Sequence, residues 1–582
     1  MEKGISRRNF LTGALATAGV AAVAMTGCSP QTASEGGSSS AGAQGETASL
    51  LTQTPAWLGE APEIGDDEIV ETKQTSLLII GAGNAGMAAA ATAADLGLDF
   101  IIAEKAGQVG KTRSWYGAVN IEECLEGGQK VDTIKLNNVL RQAFCGMNDM
   151  RVVRVWIDES AEMHAWMRSI MDQFGYDVNF DGDQGDGRGG VGIDMYVPPI
   201  QVNYVAREDC SEEHAEMARN ELLEEYIAGK GYEVTYNYDL AKLVTDESGA
   251  VKGAIFSTGD GYVQINAENV LLTTGGYAAN PEMIAGINPI LAKCITLGVY
   301  WPANTGMGIK AAMWAGAMKD PNAAAFVFDR GAVPPGTKGG YTQESIEAGE
   351  PAFPSTGAQF NPGTQPFLKM NLHGERFFNE SANYDWAPYA AASQPNGVYV
   401  EVWDAGFAED VKRFHGLGCS STTNVMINQV GKSVDEYLKD WLDNGSLIKA
   451  DTLDELADKL GYQGEYKENF LATIERYNEL YDAQEDPDFG KEPYLLSQMR
   501  NAPFYGVTLG GALLDTSDGL RINTDMQVLN TDADVIPGLY AAGDCSGSVF
   551  AGGYYNLTHG MAVGRSITFA RHAVRYIAGD LG

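Results

Sequence analysis

Positive charge is scarce in this 582-residue sequence: 40 lysines and arginines face 77 aspartates and glutamates, for a formal net charge of −37. Nucleic acid and anionic lipid both require basic surface, so neither is expected as a partner. A body this acidic must hold an anionic ligand by local charge and dipole. Metal-ligand spacing is lacking as well. The seven cysteines (Cys28, Cys124, Cys145, Cys210, Cys294, Cys419 and Cys545) are scattered. No C-x-x-C-H occurs to attach a c-type haem and no zinc spacing occurs, so no metal site is expected and the thiols read as buried and inert. After residue 25 no apolar run is long enough to span a bilayer.

The one long apolar run, residues 11–25, follows Ser6-Arg7-Arg8-Asn9-Phe10-Leu11, the layout of a twin-arginine export signal. Met25-Thr26-Gly27-Cys28 resembles a lipoprotein cleavage box with Met25 and Thr26 as departures. Lipidation of Cys28, ordinary cleavage and a retained anchor all remain open. Residues 1–28 are read as the signal, and residues 29–67 as a Ser/Gly/Ala tether too poor in apolar residues to fold. The expected location is the extracytoplasmic face of the cell membrane. Twin-arginine export carries folded proteins, which suits an enzyme loaded with its cofactor in the cytoplasm.

What is present is concentrated in residues 77–104, LLIIGAGNAGMAAAATAADLGLDFIIAE. Leu77-Leu78-Ile79-Ile80 has the continuous apolar character of a buried parallel strand, and Gly81-Ala82-Gly83-Asn84-Ala85-Gly86 then opens an alanine-rich helix. Gly81 permits a tight turn, Gly83 lets backbone approach a pyrophosphate, and Gly86 lets the helix pack close to the sheet. The helix N-terminus, with Asn84 and Ala85, offers unpaired N–H groups and partial positive charge to phosphate. Glu104 ends the next apolar run, where its carboxylate can accept both hydroxyls of an adenosine ribose. Lys105 and Lys111 supply local positive charge, and the loop from Thr112 through Gly117 to Asn120 reads as backbone wrapped along the cofactor. Gly107 to Thr112 ends like a P-loop but has Lys105 where that motif needs its first glycine, so nucleotide hydrolysis is rejected.

Later segments return to the same pattern. Thr273-Thr274-Gly275-Gly276 and Tyr540-Ala541-Ala542-Gly543-Asp544 are strand ends running into glycines. Residues 321–505 differ, with proline-rich loops and one amphipathic stretch over 453–481. The expected fold is α/β: a doubly wound Rossmann-like dinucleotide-binding domain formed by residues 68–320 and 506–582, with an inserted α+β capping domain over 321–505.

These motifs, together with Asn371-Leu372-His373-Gly374-Glu375-Arg376-Phe377-Phe378-Asn379-Glu380, resemble the flavoprotein subunits of fumarate reductase and succinate dehydrogenase and their soluble relatives. The resemblance runs from about residue 70 to the C-terminus. It implies FAD, with Asp544 matching the acid that bonds the ribityl chain. Covalent members attach flavin through a histidine in the loop matching 110–120, and none stands there, so noncovalent FAD is expected. Members with a haem or FMN domain reduce themselves through it; here only the tether is seen, so a separate donor protein (a cytochrome, an FMN protein or a quinol-linked membrane partner) is expected.

The family chemistry is hydride transfer between flavin and an activated alkene, with an acid protonating the second carbon. Tyr384 falls at the family's arginine acid, Asp515 at its substrate histidine, and Asn556 at a carboxylate-clamping arginine. A buried dicarboxylate needs bidentate arginine partners, so fumarate and succinate are not expected as substrates. Tyr384 instead resembles the ketosteroid dehydrogenase pattern, with Tyr554 or Tyr555 as a second hydroxyl. The resulting expectation is an exported reductase of the C=C bond of a neutral enone or aromatic enoate. The alternatives are a ketosteroid-type dehydrogenase working oxidatively and a surface flavin binder without turnover.

Overall fold

The computed structural model describes residues 54–111, 114–182, 196–414 and 434–581. The expected export signal with Cys28, residues 29–53 of the expected tether, and Thr112 lie outside them; residues 54–67, expected as tether, belong to the folded body, with Leu58 buried and Trp57 packed against the core. Among the described residues no helix is long and apolar enough to cross a membrane.

The strand expected at Leu77 extends over Ile69–Ile80, and its apolar end, Leu77 to Ile80, is buried. It lies within an eight-stranded sheet. Phe100–Glu104 pairs with it in parallel on one side and Gly261–Leu272 on the other, and Val535–Ala541 pairs in parallel with Gly261–Leu272. Register sets Ile80 beside Ala103 and Leu272, and Leu272 beside Ala541. Adjacent strands therefore end at one level, and all the glycine turns read from the sequence leave from the same edge. That edge is the crevice outside the carboxyl ends of parallel strands, where open α/β sheets bind ligands.

The helix Asn84–Asp95 is buried from Ala85 to Ala94. Alanine keeps it thin enough to lie between the sheet and the helices Arg219–Ala228 and Met561–Ile577, both of which pack on it. This is the doubly wound α/β arrangement expected.

A second, six-stranded sheet is organised on Phe504–Thr516, which pairs with Ile295–Gly298, Ala325–Val333, Tyr399–Trp403 and Leu447–Ala450. Sheet membership changes earlier than residue 321 and later than residue 505, because Ile295–Gly298 and all of Phe504–Thr516 belong to this second sheet. The single amphipathic stretch expected over 453–481 is two helices, Leu453–Leu460 and Glu465–Ala483. Gly461 (φ 92°) and Gly464 (φ 55°) break it with left-handed backbone. Leu456, Leu460, Phe470 and Ile474 still share one buried face, packed with Leu368 and Val402 of the sheet. The thiols are less uniform than expected: Cys124, Cys294 and Cys545 are buried, Cys210 is half-buried and Cys145 is exposed.

Candidate active site

The turn after Ile80 is built by three glycines with separable duties. Gly81 has φ 104°, and a Cβ on it would lie 2.5 Å from the Thr273 carbonyl oxygen, so only glycine fits. Thr273 Oγ1 donates to the carbonyls of Ile80 and Gly81, tying the second glycine element to the first. A Cβ on Gly86 would lie 1.8 Å from the Gly81 carbonyl oxygen, so Gly86 acts by helix packing and does not line the cavity. Gly83 is different: a Cβ there would meet nothing within 4 Å and would project into open space. That opening, before a helix whose N-cap is Gly83 and which has no capping side chain, fits a pyrophosphate seated on backbone N–H groups.

Glu104 is fixed across the turn, Oε2 accepting from Ala82 N at 2.7 Å and Oε1 from Ala106 N at 2.8 Å. Each oxygen retains a second lone pair, so ribose hydroxyls can still be accepted. Lys105 lines the cavity and its Nζ lies 3.3 Å from Thr305 Oγ1. Lys111 also lines it, but its ammonium is paired with Glu221 at 2.7 Å, which removes most of the positive charge expected of it. The sequence reading missed Arg219, buried beside the turn, whose Nη2 donates to Asn84 Oδ1 at 2.7 Å.

The cavity has a volume of about 910 Å³, and Gly81, Gly83, Asn84, Ala85, Thr274, Gly275, Gly543, Asp544, Asp515 and Tyr554 all line it. Gly117 does not. Its N–H donates to the Gly560 carbonyl at 2.8 Å, and a Cβ on it would lie 2.8 Å from the His559 carbonyl oxygen. Gly117 therefore seats the final helix instead of touching the cofactor.

Asp515 and Asp544 form the acidic centre of the cavity. Asp515 Oδ1 accepts from Thr516 N at 2.8 Å, and Oδ2 accepts from Gly276 N at 3.1 Å and from the Asn304 amide. Burial and the adjacent Asp544 charge push the Asp515 carboxyl well above the usual aspartate range. Burial also raises Asp544, against the pull of Arg565, which donates to Asp544 Oδ1 at 2.8 Å and to the Gly543 carbonyl. Two close carboxyls cannot both ionise cheaply, so a proton shared by the pair is favoured.

Beyond this pair the wall is aromatic. Phe326, Phe328, Tyr300, Trp301, Tyr437 and Tyr554 line it, with Arg330 as the only arginine among the described lining residues. Arg330 is 4% exposed, and its guanidinium lies 4.6 Å from the Phe328 ring centre and 5.3 Å from that of Tyr384. Neither Arg330 nor Asn304 was singled out from the sequence. The signal for Arg330 is a charged pair, Asp329-Arg330, inside a strand whose residues Ala325–Val333 are all buried.

The tyrosines stand differently from expectation. Tyr384 does not line the cavity; it lies behind Phe328 in edge-on contact at 5.3 Å and beneath Arg330. Tyr555 is also behind the wall, its hydroxyl donating to the Tyr196 carbonyl at 3.2 Å. Tyr554 lines the cavity with its ring, but its hydroxyl donates to the Thr558 carbonyl at 3.0 Å, so its single proton is committed. Asn556 lines the cavity, is 3% exposed, and its amide nitrogen Nδ2 has no hydrogen-bond partner among the described residues. His559 lines it too, and burial pushes its imidazole down to about 3, so it is neutral there.

A parallel-sheet crevice with a pyrophosphate turn, a fixed carboxylate and an adjoining buried acid defines a dinucleotide-dependent oxidoreductase. The chain belongs to the FAD-binding flavoprotein family of fumarate reductase and succinate dehydrogenase: the family model described as FAD binding domain matches residues 76–557. It is an FAD-dependent oxidoreductase acting on CH–CH bonds. It is 27% identical over 514 residues to the vinyl phenol reductase of Lactiplantibacillus plantarum, covering 86% of this chain and 96% of that one. It is 25% identical to a fumarate reductase (cytochrome) of Shewanella frigidimarina, covering 85% and 76% respectively. The fold is shared with 3-ketosteroid Δ1-dehydrogenase from Sterolibacterium denitrificans, at a TM-score of 0.65 and 17% identity over 87% of this chain and 100% of that one.

Proposed function

We propose that the protein saturates the C=C bond of an α,β-unsaturated or conjugated alkene other than fumarate, with noncovalent FAD and electrons from a separate donor protein. We place it outside the cytoplasm, exported by the twin-arginine route, with Cys28 as the candidate site of a lipid anchor. The observation that carries the reading is the wall beyond the dinucleotide cradle: among the described lining residues, aromatic side chains with one arginine, where a dicarboxylate needs paired arginines. The vinyl phenol, acrylate and urocanate reductases among the relatives support the same direction.

In this reading the 81–86 turn and helix N-terminus hold the pyrophosphate, Glu104 the adenosine ribose, and Asp544 the ribityl chain, oriented by Arg565. Bound there, FAD supplies hydride transfer to the alkene. The Asp515–Asp544 pair holds the proton that saturation of the second carbon requires, because the Tyr554 hydroxyl is given to Thr558 and Tyr384 stands behind the wall. Tyr384 then acts as a positioning residue for Arg330.

Anaerobic reoxidation of the dithionite-reduced holoenzyme, followed at the flavin absorbance, tests the reading. The panel is fumarate, 4-hydroxycinnamate, urocanate, 4-hydroxystyrene and a 3-keto-4-ene steroid. Reoxidation by an aromatic alkene and not by fumarate is expected. Reoxidation by fumarate alone would sink the proposal, and bleaching of the oxidised enzyme by a saturated steroid ketone would establish the dehydrogenase direction instead. Acid precipitation that leaves flavin on the protein would overturn noncovalent binding.

A further inference from the structure

We infer that the substrate is a flat aromatic alkene bearing one oxyanion, and that Arg330 receives that oxyanion while Asn556 hydrogen-bonds a second acceptor of the same ligand. This rests on the reductase reading above and names the substrate class for it.

The strand Ala325–Val333 supplies the geometry. It pairs antiparallel with Phe504–Thr516, Phe326 opposite Asp515 and Phe328 opposite Ala512. Asp515 marks the cofactor end, since it holds the N–H of Gly276. Phe326, Phe328 and Arg330 all reach the cavity, although the strand is bulged between Phe326 and Val327 and between Phe328 and Gly331. At no more than about 3.3 Å per residue, the backbone of Arg330 lies at most about 13 Å beyond that of Phe326. Its guanidinium folds back over the Phe328 ring, which shortens that offset to roughly a side chain's length. Between the acidic pair and the arginine, the surface offered to a ligand is the two phenylalanine rings, with Tyr554 5.0 Å from Phe326 at the near end.

A ligand that uses this surface has a ring to stack and one charge to place. Arg330, pressed against two aromatic faces, keeps its guanidinium planar and desolvated, and such a cation pairs strongly with an oxyanion in the same plane. Fumarate has no ring to lay on the phenylalanines, and one arginine leaves its second carboxylate without an arginine partner. The second observation is independent of Arg330. Asn556 lines the cavity, and its Nδ2 is a buried donor without an acceptor among the described residues. Buried donors are nearly always satisfied, so an acceptor arrives with the ligand.

The oxyanion is a carboxylate or a phenolate, and the test separates them. Equilibrium titrations of the oxidised holoenzyme, read as perturbation of the flavin band, compare 4-hydroxycinnamate, its methyl ester, 4-hydroxystyrene, 4-methoxystyrene and fumarate. The proteins are wild type, Arg330→Met, Arg330→Lys and Asn556→Leu. Loss of one charge-assisted pair corresponds to about 10–100-fold in Kd. Arg330→Met is expected to weaken the acidic ligands by that factor and the capped ones less than about threefold, with Arg330→Lys intermediate. Asn556→Leu is expected to weaken both sets. If 4-hydroxycinnamate loses affinity and its methyl ester does not, the carboxylate is the group read; if 4-hydroxystyrene loses affinity and 4-methoxystyrene does not, the phenolate is. Equal weakening of charged and capped ligands by Arg330→Met, or tightest binding of fumarate by wild type, overturns the inference. Should Arg330→Met fail to retain FAD, an unchanged acidic-to-capped preference in Arg330→Lys and Asn556→Leu would overturn it equally. Wild type that binds the panel but is reoxidised by none of it would refute the reductase reading and leave the binding result standing.

Discussion

Asp385 shows how a buried carboxyl ties the second sheet's segment to the cavity. Its Oδ2 accepts from Tyr554 N at 3.1 Å, and it holds the loop that presents Tyr554 and Asn556. Burial pushes its carboxyl up to about 7, as it does for nearby Asp329. An aspartate raised in the folded state contributes its full stabilisation below the unfolded value of about 3.9, and loses it as pH rises through about 7. The melting temperature of wild type is therefore expected to fall between pH 5 and 8. Asp385→Asn, which keeps an acceptor for Tyr554 N, is expected to flatten that fall; an unchanged slope would dissociate Asp385 from it. For Asp515 the expectation is kinetic: Asp515→Asn keeps one oxygen, an acceptor for either Thr516 N or Gly276 N but not both, and removes the carboxyl proton, so turnover drops by at least about a hundredfold. Flavin content should stay constant in that variant, and a rate within tenfold of wild type would remove Asp515 from the protonation step. At this scale the sequence was legible where one backbone conformation admits one residue, as at Gly81. It was not legible for the tyrosines, because whether a hydroxyl faces a cavity or a carbonyl depends on partners such as Thr558 and Tyr196 that spacing does not reveal.

The turn and helix over residues 81–95 allow the two roles of glycine to be separated by experiment. Gly83→Ala adds a methyl to open space in a helix N-cap with φ −84°. The apoprotein is expected to melt within about 1 kcal/mol of wild type, while the FAD affinity falls at least tenfold by fluorescence titration. Gly86→Ala drives a methyl into the Gly81 carbonyl at 1.8 Å, so the apoprotein itself should be destabilised by several degrees or fail to accumulate. If both variants behave alike, the separation of cradle from packing is wrong. The strand, turn and alanine helix were legible because period, glycine and small side chains all agree there. The amphipathic stretch over 453–481 was read without its break, because only the left-handed backbone at Gly461 ends the first helix. Arg330 escaped notice because a buried arginine inside an apolar strand looks like a strand edge until the second sheet is assembled around it.

Across the whole molecule, a net charge of −37 sets like charges against one another in the compact state. Raising sodium chloride from 20 to 200 mM screens that repulsion, since the Debye length falls from roughly 20 Å to below about 10 Å. The melting temperature is expected to rise over that range; a fall would mean that the ion pairs, among them Arg376 with Glu380 and Asp486, outweigh the repulsion. The two-sheet plan was visible in the sequence as a change of texture near residue 320, but the sheets exchange strands at other positions. Ile295–Gly298 lacks any composition marker, and Phe504–Thr516 reads as the start of the returning segment because its far end reaches Gly276.

The level ends of the parallel strands also fix an order of assembly. Val535–Ala541, which forms one wall of the crevice beside Leu272, and Arg565, which holds Asp544, come near the end of the chain. A nascent polypeptide can fold its Gly81 turn early, yet it has no complete crevice until Arg565 has left the ribosome. A chain that carries FAD therefore reports that its translation passed Arg565.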